Sequence, residues 1–305
     1  MAPFFNELRC IYTPPPIHSP RKHNDGSKRK IQCVYFTSVE NFGDLLNVNL
    51  FALFGKNIQP ADIRYGSVVA IGSLLQLCLK KSPLSAKKKI NFWLKRPLIV
   101  CGSGFIEDVS SDFHLLRKLD VRAVRGYKTL ETLRKFKNVR FAKNMAVGDP
   151  GLLAKYMVNT SGIDKVYDLG IIPHYVDKEN ELLNKILVKN SVVIDIQQEP
   201  ETFIKQIAQC KNIISSAMHG LIAADSLGIP NVRMILSDKI TGGDYKYNDY
   251  YSAFGLNAHN VIDLNCQSFT DKDVPDIALN YKIKPEQVDC ICRNLMEAFP
   301  YKDKK

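Results

Sequence analysis

The stretch Ile213-Ile214-Ser215-Ser216-Ala217-Met218-His219-Gly220-Leu221-Ile222-Ala223-Ala224-Asp225-Ser226-Leu227-Gly228-Ile229-Pro230 decides the reading of the fold. An apolar run ending at Ile214 predicts a strand, and Ser215 or Ser216 is placed to cap the helix that follows. Gly228 falls just past the predicted helix at 217–227, and Pro230 prevents its continuation. The apolar run 231–236 then predicts the next strand. Strand, tight turn, helix and strand make one βαβ unit. His219 lies in its first helical turn, beside unpaired backbone N–H groups and the positive end of the helix dipole. Such a place receives anions and keeps an imidazole neutral, ready to donate or accept a proton. A plain hydrogen bond to a neighbouring carbonyl is the alternative reading of this histidine.

The same alternation extends in both directions. Strand-like runs at 31–37, 67–71, 97–100, 121–124 and 141–147 alternate with helical patterns at 45–54, 112–119 and 127–136. Further on, runs at 168–172, 191–196, 212–214 and 231–236 alternate with helical patterns at 179–187, 201–210 and 217–227, and a helix is expected at 286–299. Apolar strands separated by helices are the signature of parallel sheets. The expected architecture is α/β, with Rossmann-like domains at 30–155 and 156–275 facing each other across an interdomain cleft. A C-terminal helix and tail occupy 276–305. Residues 1–29, with Pro14, Pro15, Pro16, Arg21, Lys22 and Arg29, read as a basic, Pro-rich N-terminal extension too polar to offset its own ordering entropy.

Composition narrows the partners. The chain has 305 residues, 45% hydrophobic and 24% charged, enough to bury large cores without disulfides or metals, which excludes collagen and wholesale disorder. Forty-two Lys and Arg against 31 Asp and Glu give a net charge of +11, favouring phosphorylated metabolites, nucleic acid or an anionic membrane face. The lysine runs at 80–81, 87–89 and 135–137 carry no interleaved aromatic residues, so nucleic acid is not the expected partner. Eight dispersed cysteines lack a CxxC pair, and Cys290 and Cys292 form only a CxC, so reduced thiols and no metal site are expected. The longest apolar run, 67–79, is shorter than the about 20 residues a bilayer needs, and the first residues carry no export signal. A cytoplasmic protein is the expectation, with peripheral contact at the inner face of the plasma membrane compatible with its charge.

Ligands of parallel α/β sheets sit beyond the carboxyl ends of strands, which directs attention to the loops there. Asn41-Phe42-Gly43-Asp44 follows the first strand; Asp44 suits helix capping, and either Asp44 or Asn47 could bind sugar hydroxyls. Gly102-Ser103-Gly104-Phe105 follows the third apolar run and reads as a close-approach loop for an anion or as a tight turn; Glu107 replaces the third glycine of a dinucleotide fingerprint. Arg125 stands between a strand and a helix, where its fork of donors suits a carboxylate or phosphate. Lys239, after the 231–236 strand, and Lys246, in Asp244-Tyr245-Lys246-Tyr247-Asn248-Asp249-Tyr250-Tyr251, could close on a bound anion.

Taken in order, NFGD at 41–44, GSGF at 102–105, VRGYKT at 124–129, GDPGLL at 148–153, GIIPHYVD at 170–177, the segment around His219 and DYKYNDYY at 244–251 resemble the polysaccharide pyruvyl transferase family over about residues 30–265. The resemblance implies two Rossmann-type domains arranged as in GT-B glycosyltransferases. It also implies pyruvate transfer from phosphoenolpyruvate to a sugar, usually as a ketal, with release of phosphate and no metal or other cofactor. The family's donor-binding arginine would fall on Arg125 and its active-site histidine on His219, with Ser216 and Gly220 beside it. Lys239 and Lys246 are both candidates for its cleft lysine, and Asn41, Asp44, Gly102, Ser103 and Gly104 for contacts to donor or acceptor. The acceptor implied is a lipid-linked glycan. A GT-B glycosyltransferase using a nucleotide sugar, or a non-catalytic anion-binding protein, are the rival readings; no Glu-rich nucleotide-sugar motif supports the first.

Overall fold

The computed structural model describes residues 30–81, 96–256 and 260–301. The N-terminal extension and the lysines at 87–89 lie outside them. Six strands form the first sheet: β1 (Ile31–Val34), β2 (Ile58–Pro60), β3 (Val68–Val69), β4 (Leu98–Cys101), β5 (Leu119–Val124) and β6 (Val139–Val147), in the order β2-β1-β3-β4-β5-β6. Five form the second: β7 (Tyr167–Ile172), β8 (Ser191–Val193), β9 (Cys210–Ser215), β10 (Asn231–Ile235) and β11 (Val261–Asp263), in the order β8-β7-β9-β10-β11. All neighbours in both sheets are parallel. The helices are α1 (Phe42–Leu53), α2 (Tyr127–Arg134), α3 (Pro200–Ala208), α4 (Met218–Ser226), α5 (Tyr245–Ser252), α6 (Val274–Asn280) and α7 (Pro285–Ala298).

The two sheets share one topology. In each, the first strand lies between the second and third, so connections leave it in opposite directions. The loops that follow the first and third strands part there and leave a crevice beyond the strand ends. The crevice of the first sheet lies between the loops after β1 and β3; that of the second lies between the loops after β7 and β9.

The halves are packed together rather than strung apart. Phe42 of α1 lies against Phe203 of α3, with ring centroids 4.3 Å apart, within a core cluster containing residues of both sheets. Helix α4 buries almost every side chain, which its small Gly220, Ala223 and Ala224 permit. It packs on the 3-10 turn Pro150–Tyr156. Helix α7 crosses back onto β6, and Phe299 just beyond it stacks on Phe54 at 4.0 Å.

Three local expectations give way. Residues 112–119 are not helical: His114–Leu115 pairs with Leu79–Lys80, Leu116 N donates to Cys78 O, and Arg117 donates to the carbonyls of Ile63, Gly66 and Arg96. These non-local partners satisfy polar groups that a helix would have withdrawn. Residues 179–187 hold only the 3-10 turn Glu181–Lys185, because Ile186–Leu187 pairs with Phe269–Thr270. Helix α1 begins three residues earlier than expected, at Phe42, so Asp44 lies inside its first turn, and the cap is Asn41, whose side chain accepts from Asp44 N.

Candidate active site

The crevices of the two sheets open onto one cleft of about 160 Å³. The first sheet contributes Asn41 and Asp44 after β1, and Gly72 and Ser73 after β3. The second contributes His174 and Tyr175 after β7, and Ala217, Met218 and His219 after β9. Lys246 enters from α5.

His219 sits at the second position of α4, whose N-cap is Ala217. Neither expected serine is the cap residue. Ser215 Oγ accepts from Ala217 N at 3.0 Å and donates to Ile172 O at 2.9 Å, whereas Ser216 Oγ accepts from His174 N at 2.8 Å. The two serines thus lock the ends of β7 and β9 together. The His219 imidazole packs against Gly43, and its Nε2 is buried with no hydrogen-bond partner among the described residues. Burial, reinforced by the charges of Arg125 and Lys246, pushes its pKa down to about 3, so it is neutral at pH 7.

Lys246 is buried and has no carboxylate partner among the described residues. Burial and the neighbouring guanidinium groups of Arg125 and Arg233 lower its pKa to about 7. Asp44 moves the other way. Desolvation raises its carboxyl to about 7, although Asn41 Nδ2 and Phe36 N donate to it. The cleft therefore holds an amine and a carboxyl that both titrate near neutrality, beside an imidazole that does not.

Arg125 lies one layer behind. Its side chain is fully buried and outside the cleft lining; Nε donates to Asp249 Oδ2 at 2.8 Å, and the other nitrogens donate to Ser73 Oγ and Phe105 O. Asp249, on α5, also accepts from Thr129 N and Thr129 Oγ1. This ties β5 and α2 to α5, the helix that carries Lys246. The glycine loop is occupied with the same packing: a β-carbon at Gly104 would stand 2.5 Å from Arg125 Cζ, and one at Gly102 would stand 2.2 Å from Pro150 Cδ. Ser103 Oγ donates to Gly72 O and accepts from Leu74 N. Gly102, Ser103 and Gly104 thus support the cleft without lining it. Gly220 lets α4 approach the ends of β9 and β7, since a β-carbon there would meet Ser215 Oγ at 2.5 Å and Ile172 Cγ2 at 3.0 Å. Asn47, the alternative to Asp44 as a hydroxyl binder, is buried and exchanges hydrogen bonds with the backbone of Ile71. Lys239 is exposed and outside the cleft lining, on the loop beside a wider hollow of about 820 Å³ lined by Glu107, Arg233, Ser237 and Gly242. Residues missed from sequence are His174 and Tyr175; the break of a strand at Pro173 was the available signal.

Among the described residues, no cluster of His, Cys, Asp or Glu could hold a metal ion, and no helix is long and apolar enough to cross a membrane.

Paired crevices beyond the strand ends meet at one cleft, lined by His219, Lys246 and Asp44, in a parallel α/β protein. The chain belongs to the polysaccharide pyruvyl transferase family, whose model matches residues 12–238. It is 39% identical over 139 residues to an uncharacterized protein of Acanthamoeba polyphaga mimivirus, covering 44% of this chain and 47% of that one. It is 27% identical over 220 residues to the succinoglycan biosynthesis protein ExoV of Rhizobium meliloti, covering 71% of this chain and 62% of ExoV. The chain thus matches less than two thirds of the length of either relative. A solved structure of a functionally uncharacterized Klebsiella pneumoniae protein superposes with a TM-score of 0.41 at 16% identity, over 76% of this chain and 93% of that one.

Proposed function

We propose that this protein transfers pyruvate from phosphoenolpyruvate to two hydroxyls of a sugar, forming a ketal in the biosynthesis of a surface polysaccharide. Family membership supports the reaction class, and the likeness to ExoV supports the polysaccharide context. The observation that carries the reading is the meeting of both crevices at a cleft where the buried Lys246 lacks a carboxylate partner among the described residues. At about 160 Å³, this cleft is below the roughly 300–1,000 Å³ typical of pockets for drug-sized ligands. That size suits a three-carbon phosphoester. We read the two sheets as Rossmann-like units in a GT-B-like arrangement, on the strength of their matching strand orders.

In this reading Lys246 and the first N–H groups of α4 hold the donor's anionic groups, and Arg125 adds its field from behind while fixing Lys246 through Asp249. Ketal formation joins both sugar oxygens to C2 of the donor and breaks its C2–O bond to phosphate. One hydroxyl proton ends on C3, converting the methylene to methyl, and the other leaves with phosphate. Asp44 is the base placed for a hydroxyl, and His219 passes a proton or holds the departing phosphate. The larger hollow beside the cleft, where Glu107 adjoins the cleft residue Ile106, offers room for the acceptor glycan. A lipid-linked acceptor at the cytoplasmic face of a membrane suits the net charge of +11.

Incubation of the protein with phosphoenolpyruvate and lipid-linked oligosaccharides tests this directly. Release of inorganic phosphate together with a product heavier by one pyruvate ketal is expected. Nucleoside diphosphate release from a sugar nucleotide, with phosphoenolpyruvate inert, would replace the reading with a glycosyltransferase.

A further inference from the structure

His174 is the one imidazole of the cleft to which neither the sequence motifs nor the proposed roles give a task. Its backbone is held at three points. Pro173 ends the pairing of β7, His174 N donates to Ser216 Oγ at 2.8 Å, and His174 O accepts from Asp177 N at 2.8 Å. The ring is held as well: Nδ1 accepts from Val176 N at 3.4 Å, capping the turn Tyr175–Asp177, and the ring lies 4.3 Å from that of Tyr175.

An imidazole whose Nδ1 is an acceptor carries its proton, while neutral, on Nε2. Burial and the charge of Lys246 keep this ring neutral, lowering its pKa to about 4. No described residue accepts the Nε2–H, and His174 lines the same cleft as Asn41, Asp44 and Lys246. The capping bond thus fixes the tautomer and leaves one donor for whatever enters.

The geometry points to His174 as a further donor-binding residue, whose Nε2–H bonds an anionic oxygen of the bound phosphoester. This rests on the proposed pyruvyl transfer and adds to it a neutral hydrogen-bond donor beside the cationic Lys246. A neutral donor orients an oxygen without adding another positive charge to a cleft that holds the Lys246 amine, with the Arg125 guanidinium buried behind it.

Two isosteric substitutions separate this role from mere capping. His174→Gln keeps an N–H near the place of Nε2 and loses the acceptor at Nδ1; His174→Asn does the reverse and is itself a good cap. With phosphoenolpyruvate, the Gln variant is expected to keep a KM within about threefold of the parent. The Asn and Ala variants should raise it about tenfold or more, the scale of one lost charge-assisted hydrogen bond. Thermal unfolding should order them oppositely, with Asn closest to the parent. Calorimetric binding of inorganic phosphate to the same variants gives a readout independent of turnover and should follow the KM order. A parent-like Asn variant with a defective Gln variant, or equal phosphate affinity in all of them, would overturn the assignment. A parent protein that binds phosphate in this order yet leaves phosphoenolpyruvate unconverted would overturn only the pyruvyl transfer.

Discussion

Gly43 lies directly against the imidazole of His219: a β-carbon built at Gly43 would stand 2.0 Å from Nδ1. Helix α1 of the first half therefore forms one wall for the histidine of the second. Only hydrogen at this position leaves the ring where it is. In Gly43→Ala the ring must swing, while alanine itself favours the helix. Turnover should fall at least about tenfold, with a stability loss at the low end of the roughly 1–3 kcal/mol usual for overpacking. Steady-state assays and urea unfolding check both numbers. Adding His219→Ala should restore the lost stability but not the turnover, and His219→Ala alone should cost at least about a hundredfold in rate.

The buried Arg125–Asp249 pair gives a second expectation. Asp249→Asn leaves a guanidinium sealed from water with its charge uncompensated. Removing one member of such a pair costs about 3–5 kcal/mol, measurable by chemical denaturation. Replacing both members by apolar side chains of similar volume should cost much less stability, because no lone charge remains. That double variant should still lose activity, since α5 would no longer hold Lys246 in register.

Lys246 and Lys239, alike on sequence grounds, part company in the structure. Lys246→Met should lower kcat/KM for phosphoenolpyruvate by about a hundredfold, whereas Lys239→Met should stay near the parent value. The pH profile makes the same distinction. With the Lys246 amine lowered to about 7, its positive charge is lost as pH rises above that value. The parent's kcat/KM should therefore fall on the alkaline side of about pH 7, approaching tenfold per unit for a single proton, and Lys246→Met should flatten that limb.

Asp44 predicts a dependence of opposite origin. Its folded carboxyl is raised to about 7 from 3.8, so between about pH 4 and 7 the native protein holds a proton that the unfolded chain has released. Stability from this group must fall as pH rises through that window. The unfolding free energy of the parent minus that of Asp44→Asn should decline there, by up to about 1.4 kcal/mol per pH unit. His174 and His219, lowered from 6.5, work in the other direction in both proteins and cancel in the difference. A flat difference curve would show that Asp44 is not held protonated.

The positions of most strands and helices were legible because their signals are local, whereas the order of the strands within each sheet was not. The run 213–230 announces strand, turn and helix through its own apolar pattern, Gly228 and Pro230. The reading of 112–119 went wrong because its partners, residues 63, 66, 78 and 96, are remote in the chain and no periodicity reports them. The site divides similarly. A place after a strand end marked His219, Asp44 and Arg125, but burial decides what each can do. Nothing near Arg125 in sequence says that Asp249 will occupy it, and GSG at 102–104 looks like a ligand loop whether the close neighbour is a phosphate or a guanidinium.

The return of α7 to β6, with Phe299 stacked on Phe54, bears on how the molecule is made. A ribosome delivers β5 and β6 well before the helix that packs on them. Until residues 285–299 arrive, Phe51, Phe54 and the flank of β6 stand uncovered. The first half thus completes its apolar packing only when that distant C-terminal patch has been translated.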